Sequence, residues 1–260
     1  MDLGLRNNVA WVAGSSRGLG KTIALTFMRE GARVIFTGRH RQSLTALEKE
    51  LRQDYSTDSF LTVRADLAKG AQVQRCIRTI LRRFGRIDIV VCNVGQSRGQ
   101  KGWNAPHAQW AELLDANLSQ NVGLARRLLP VMIRQKAGSI VFIASITGHE
   151  LVGGPLAYGS AKAGLLHFAK ALADEAAPYH IRVNCVSPGN LLYPGSPWEG
   201  KLHTDRTRVL SYIRRAVPLA RFGTAEEIAA TVAFVASPRA SFMTGSTIVV
   251  DGGQRRGCAV

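Results

Sequence analysis

Seven short apolar runs recur along the chain, at residues 9–13, 33–37, 60–64, 87–91, 138–144, 181–186 and 246–250. Val9-Ala10-Trp11-Val12-Ala13 is typical. These runs lack the strict apolar–polar alternation of a sheet that is wet on one face. They suit strands of a parallel sheet covered by helices on both faces. Parallel neighbours need long crossovers, and the intervening segments supply them. Residues 21–28, 42–54, 71–84, 108–135 and 158 to about 177 read as helices. Thr224-Ala225-Glu226-Glu227 has the pattern of a capping box and opens a last helix through Ala236. No internal repeat, low-complexity stretch or linker interrupts the alternation, so one α/β domain over residues 1–260 is expected.

The first run ends in Gly14-Ser15-Ser16-Arg17-Gly18-Leu19-Gly20, and a helix with an apolar face follows. Strand, glycine turn and helix is a phosphate-binding order. The N–H groups that open the helix face the anion, and the glycines let a pyrophosphate approach. The spacing is G-x-x-x-G-x-G rather than G-x-G-x-x-G, and the flanking strand and helix are what give it weight. At the end of the second run, Thr37-Gly38-Arg39 offers no carboxylate, although NAD-preferring sites place an acid there for the ribose hydroxyls. Arg39 and Arg17 are available for a 2′-phosphate, a group that a guanidinium fits well. NADP(H) is therefore favoured over NAD. The plainer alternative is two surface arginines in an arginine-rich chain. After the third run, Asp66-Leu67 is either a turn before a helix or a contact to an adenine amino group. Asn93-Val94-Gly95 makes a bend at the carboxyl end of the fourth run, where ligands of α/β sheets bind.

Tyr158 and Lys162 lie four apart at the start of an Ala- and Leu-rich helix and so share one face. A free tyrosine titrates near pKa ~10, too high for proton transfer at neutral pH. A neighbouring ammonium favours the phenolate, so a lowered Tyr158 pKa is expected. Ser145, at the carboxyl end of the fifth run, supplies a hydroxyl for a substrate oxygen. The chemistry is proton donation to, or removal from, an oxygen on a carbonyl or carbinol carbon. A Tyr-x-x-x-Lys pair by itself is common on exposed helices, so the case rests on its company. Asn117, inside the helix at 108–135, is either a satisfied core group or a perturbation that brings a carbonyl or water near the site. Residues 190–215 break the strand–helix pattern after the sixth run, where substrate lids are found.

Composition removes other classes. No run of 18 apolar residues exists, so no membrane span is expected. Residues 1–8 are too short and polar for a secretory signal. Cys76, Cys92, Cys185 and Cys258 show no Cys-x-x-Cys spacing and no histidine cluster nearby, which fits reduced thiols in a cytoplasmic protein without a metal site. The net charge of +16 is carried by scattered pairs such as Arg82/Arg83 and Arg214/Arg215 rather than by a block. That reads as solvated surface with a bias toward phosphorylated cofactors and acidic partners, not as a nucleic-acid stripe.

Taken together, these residues resemble the short-chain dehydrogenase/reductase family, from Ala13 to Gly253. Gly14, Gly18 and Gly20 are similar to its cofactor glycines, Asp66 to its adenine-contacting aspartate, and Asn93-Val94-Gly95 to its Asn-Ala-Gly motif with Val for Ala. Asn117, Ser145, Tyr158 and Lys162 match its catalytic four in order and spacing. Pro188-Gly189 resembles its nicotinamide-side turn. The resemblance implies a Rossmann-type doubly wound domain with a seven-stranded parallel sheet in the order 3-2-1-4-5-6-7. It implies a homotetramer (or dimer) assembled through the helices at 108–135 and 158–177. It also implies Tyr158 as general acid or base, Ser145 polarising the carbonyl, Lys162 lowering the tyrosine pKa and holding the nicotinamide ribose, and Asn117 supporting a relay water. One position departs: Tyr193 stands where the family often has Thr to hold the nicotinamide carboxamide, which leaves the lid geometry open. Overall similarity is closest to the 3-oxoacyl-thioester reductase type, so NADPH-dependent reduction of a carrier-bound carbonyl is the leading expectation. The alternatives are a dehydrogenase of a small secondary alcohol, sugar or natural-product intermediate, and a cofactor-sensing binding protein without catalysis.

Overall fold

The computed structural model describes residues 1–257, so Cys258 lies outside the described residues. The strands are β1 (Val9–Val12), β2 (Arg33–Gly38), β3 (Phe60–Arg64), β4 (Ile89–Cys92), β5 (Gly138–Ile143), β6 (Ile181–Pro188) and β7 (Thr247–Val250). All pair in parallel, in the order β3-β2-β1-β4-β5-β6-β7. The chain begins in the middle of the sheet, winds outward to β3, and then returns to β4 on the other side of β1. The β1–β4 junction is thus the point where winding reverses and a crevice opens at the carboxyl ends.

The apolar runs are explained by two separate cores. In β1 and just after it, Val9, Trp11 and Ala13 face one layer, where α3 (Gly70–Phe84), α5 (Gln120–Gln135) and α6 (Leu156–Ala176) supply Ile77, Leu124 and Leu165. Ala10 and Val12 face the other, where α1 (Gly18–Arg29), α2 (Arg41–Asp54) and α9 (Ala225–Ala236) supply Phe27, Leu47 and Val232. Successive strand residues point to opposite faces, and both faces are dry, so no polar alternation appears. Burying one such side chain stabilises the fold by about 1.5–3 kcal/mol. The expected capping box is formed: Thr224 accepts from the Glu227 N–H, and Glu227 accepts from the Thr224 N–H.

Three details differ from the sequence reading. The fourth strand begins at Ile89, because the backbone of Ile87 is bonded on both sides by the Gln135 amide, at 3.0 and 2.8 Å, in place of a strand partner. Helix α1 begins at Gly18, so the end of the glycine turn is its first turn. Residues 190–215 are not an open loop. They form α7 (Pro197–Thr204) and α8 (Arg206–Ala216), capped by Ser196 and Asp205. Among the described residues no helix is long and apolar enough to cross a membrane.

Candidate active site

Ser145, Tyr158 and Lys162 meet at the carboxyl end of β5. Ser145 has extended backbone and caps a single 3-10 turn at Ile146–Gly148. Its Oγ accepts from the Thr147 N–H at 3.3 Å and from the Thr147 hydroxyl at 2.9 Å. Tyr158 lies in the first turn of α6, and Lys162 lies one turn further on. The 3-10 turn packs directly on that helix. A Cβ on Gly148 would stand 2.8 Å from the Lys162 carbonyl carbon, so a glycine is what allows the turn after Ser145 to pack this closely on the Tyr158 helix.

Lys162 is buried. Its ammonium donates to the Ile143 carbonyl at 2.8 Å and sits 5.8 Å from the Tyr158 ring centroid. Burial drives its pKa down to about 8. The expected lowering of the Tyr158 pKa does not occur in the chain alone. Burial pushes the phenol up, and the nearby hydroxyls of Ser145 and Thr147 only partly offset that. Desolvation is the larger effect, and the ammonium donates to the Ile143 carbonyl rather than to the phenol.

Asn117 lies in a π-helical turn, Asp115–Ser119, between α4 (His107–Leu114) and α5. The perturbation expected from an asparagine in an apolar helix is thus present, and such turns recur at functional sites. The side chain is also fully satisfied. It accepts from the Gln96 N–H at 3.1 Å and donates to the carbonyls of Gln96 and Leu113 at 2.8 and 2.9 Å. Asn121 donates to the carbonyls of Val94 and Asn117. The two asparagines fix the bend after β4. Gly95 fills the space between them and the lysine: a Cβ there would lie 2.5 Å from Asn117 Oδ1 and 3.6 Å from Lys162 Nζ.

The glycine turn lies across the switch point. Asn93 Nδ2 donates to the Ala13 carbonyl at 3.2 Å, tying the end of β4 to that of β1. Gly14 and Gly18 have φ of 64° and 56°. The buried Ser15 hydroxyl holds Val12 and Thr37, so the turn is braced against β2. Ser16 approaches the backbone of Gly38, and a Cβ on Gly20 would collide with Gly14. Helix α1 starts with no capping side chain at Arg17 and no acid in its first turn. Its opening N–H groups are therefore suited to an external anion, which is the fit required of a dinucleotide pyrophosphate. Arg17 and Arg39 are both exposed at the same edge, and no carboxylate follows β2. Asp66 makes a local turn, its Oδ1 accepting from Ala68 at 3.2 Å, with Leu67 buried behind it.

Pro188 ends β6, and Gly189 follows it. The Gly189 N–H donates to Val250, and a Cβ there would meet Asp251 at 2.7 Å. Beyond them a bridge between Leu191 and Gly223 anchors the chain, and the Tyr193 ring lies over Gly18, 3.2 Å from where its Cβ would be. The position read as a departure from Thr is thus a ring packed on the glycine turn. His149 faces Ser187 at 3.0 Å, and Glu150 holds Arg255, Arg256 and Gly257. Asn121, Thr147 and Ser15 are site residues that the sequence reading missed. Asn121 had a signal, being a second asparagine one helical turn after the first. Among the described residues no group of three or more His, Cys, Asp or Glu is placed to hold a metal ion.

The family model described as "Enoyl-(Acyl carrier protein) reductase" matches residues 13–255. The 3-oxoacyl-(acyl-carrier-protein) reductase FabG of Escherichia coli (strain K12) is 34% identical over 256 residues, covering 96% of this chain and 98% of the relative. The protein of the same name from Aquifex aeolicus (strain VF5) is 34% identical over 258 residues, covering 97% and 99%. Among solved structures, that of gox2181 superposes with a TM-score of 0.90 at 29% identity, covering 97% of each chain. The Pseudomonas aeruginosa RhlG/NADP active-site complex superposes with a TM-score of 0.87 at 29% identity, covering 97% of this chain and 98% of that one.

Proposed function

For a chain that belongs to the short-chain dehydrogenase/reductase family of oxidoreductases, we propose NADPH-dependent reduction of a carbonyl to a secondary alcohol, with 3-oxoacyl thioesters as substrates. The observation that carries this reading is the placing of Ser145 after β5 beside the first turn of α6, with Tyr158 in that turn and the buried Lys162 ammonium 5.8 Å from the Tyr158 ring centroid. A nicotinamide cofactor held across the glycine turn would supply hydride for the carbonyl carbon. Ser145 and Tyr158 hold the carbonyl oxygen between two hydroxyls, which polarises it. The raised pKa keeps the Tyr158 proton in place until that oxygen gains charge, and the proton then passes from the phenol to the oxygen. The pKa of about 8 suits Lys162 to pass a proton onward near neutral pH. Asn117 and Asn121 position the 94–96 bend beside Lys162.

Gly14, Ser16, Gly18, Leu19 and Gly20 would hold the pyrophosphate, Arg17 and Arg39 the 2′-phosphate, and Asp66 and Leu67 the adenine. Asn93, Gly95, Pro188 and Gly189 would border the nicotinamide half. The absence of a carboxylate after β2 supports NADPH over NADH, as does the similarity to RhlG, whose solved structure is an NADP complex. The thioester reading is supported by relatives whose names specify 3-oxoacyl-(acyl-carrier-protein) reduction. We read the chain as one cytoplasmic domain with residues 190–215 as its lid, working as a homotetramer, as the family resemblance implies. Tyr158→Phe tests the assignment. NADPH-dependent turnover should fall by about a thousandfold, while NADPH binding, read by fluorescence titration, stays close to wild type. A variant that still turns over would sink Tyr158 as the acid.

A further inference from the structure

Residues 251–257 follow β7 as a strap that is held on two sides. Its own shape is set by Asp251, which accepts from the Gly253 N–H at 2.9 Å and from the Arg255 N–H at 2.7 Å. On one side the strap meets the lid. The Leu219 N–H, just past α8, donates to the Gly252 carbonyl at 3.1 Å. A Cβ on Gly252 would stand 2.9 Å from the Val217 side chain. Gln254 Nε2 donates to the Tyr212 hydroxyl of α8 at 3.4 Å, and the Tyr212 ring stacks on Trp198 of α7 with 5.5 Å between centroids. On the other side the strap meets the loop that starts at Ser145. Glu150 accepts from Arg255 Nε at 3.3 Å and from the N–H groups of Arg256 and Gly257 at 3.0 and 2.5 Å. The Glu150 N–H in turn donates to the Ile146 carbonyl at 3.1 Å, within the turn that Ser145 caps.

The Glu150 end is built as an anchor. Of the six ion pairs among the described residues, only Arg255–Glu150 has both side chains shielded, at 13% and 22% exposure; each other pair has one partner more than half exposed. Exposed pairs contribute little, because water competes for both charges. A shielded carboxylate that also takes two backbone N–H groups makes charge-assisted bonds, and these fix main chain as well as a side chain. The Gln254 end is a lighter fastening. That side chain is 5% exposed, its Nε2 bonds to Tyr212, and its Oε1 has no partner among the described residues. The contacts therefore lie in series, from α7 and α8 through the strap to the loop of Ser145.

We propose that Glu150 is a positioning residue: by latching residues 255–257 it makes the strap a tie between the lid helices and the loop of Ser145, so that the lid stays in register with the hydroxyl that holds the substrate carbonyl. The tie itself stands on the contacts above, and its bearing on substrate rests on the reductase reading. With the latch opened, α7 and α8 move more freely and the substrate is held less tightly. Ser145 and Tyr158 keep their places on β5 and α6, so the chemical step is affected less than binding.

The test measures amide hydrogen exchange of the full chain by mass spectrometry, in the wild type, Glu150→Ala, Glu150→Gln, Tyr212→Phe and the double variant Glu150→Ala/Tyr212→Phe. Glu150→Ala should speed exchange across α7 and α8 by about tenfold, the worth of one charge-assisted bond, and leave α2 unaltered. Tyr212→Phe keeps the stack on Trp198, removes the hydroxyl, and should speed the same peptides. The double variant should exchange no faster there than the faster single variant, because both changes cut one tie. Glu150→Gln keeps an acceptor for the backbone N–H groups and should recover part of the protection. In turnover of a 3-oxoacyl thioester with NADPH, Glu150→Ala should raise KM by about tenfold with kcat much less changed; a loss of folded enzyme would lower kcat and leave KM alone. Lid exchange that Glu150→Ala does not alter, exchange that rises equally throughout the chain, additive effects in the double variant, or an unaltered KM overturns the positioning role. If the wild type turns over no thioester, the reductase reading fails instead, and the exchange data decide the tie alone.

Discussion

Lys162 is a cation held where water hardly reaches it, at 4% exposure. Its sequence position showed that it shares a helix face with Tyr158. The depth of its burial was not legible, because that depends on β5 and on the bend after β4, and neither is near it in the chain. The consequence is a pH dependence of stability whose sign follows from the shift. The folded chain binds the Lys162 proton with a pKa of about 8, against 10.5 for the unfolded chain. Below pH 8 both states are protonated, and the fold bears the full cost of the buried charge. As pH rises toward 10.5 the folded state is deprotonated first, so the cost is removed and stability rises. The gap corresponds to about 3 kcal/mol. Urea denaturation of wild type and Lys162→Met at steps from pH 7 to 10 should show wild type gaining on the variant over that range. A constant difference across the range would mean that the ammonium is solvated in the fold. The same reasoning explains why the expected fall in the Tyr158 pKa was wrong for the chain alone: pairing at i and i+4 sets proximity, but desolvation acts on both groups.

At the level of elements, the glycine turn, the Tyr158 helix and the capping box were legible because each is written in adjacent residues. The fastening between elements was not. Arg182, the second residue of β6, shows this. It looks like a surface arginine in a basic chain, yet its guanidinium reaches the end of α9. It donates to Val235, Ala236 and Ser237 at 2.8, 2.9 and 3.0 Å, and also to Met243 and Ser139. The last carbonyls of a helix have no partners within it, and a cation there also meets the negative end of the helix dipole. Arg182 therefore caps α9 from the sheet and fixes the turn that leads into β7. Arg182→Met should cost about 3 kcal/mol, because several carbonyls lose a charged donor at once. Arg182→Lys should recover less than half of that, since one ammonium cannot span carbonyls that a planar fork reaches together. Guanidinium denaturation of the three proteins checks the order. Equal stability of the Lys variant and wild type would mean that charge alone suffices. Helices α7 and α8 were within reach of the sequence, because Ser196-Pro197-Trp198-Glu199 and Asp205 are cap signals inside the segment that reads as a lid.

For the whole molecule, the strand order followed from the family resemblance, and the alternation of strands and helices put the site at the carboxyl ends of the sheet. The runs that read as doubly buried strands are those whose alternate residues enter the two cores. Charge is the property that no single element explains. The chain carries 34 Lys and Arg against 18 Asp and Glu, and the ion pairs among the described residues number only six. Most of these are exposed, as Lys21–Glu50 and Arg52–Glu48 are, and pairs of that kind contribute about 0–1 kcal/mol each. Self-repulsion among the remaining cations opposes compaction. Added salt weakens both effects, but the unpaired cations greatly outnumber the pairs, so repulsion is the larger loss. Thermal denaturation should therefore show the midpoint rising by a few degrees as NaCl goes from about 20 mM to about 300 mM, over which the screening length drops below the spacing of surface charges. The rise should shrink when the scattered arginines of α3 and α8 are replaced by glutamine. A midpoint that falls with salt would mean that the exposed pairs, and not the excess of positive charge, dominate the electrostatics of this fold.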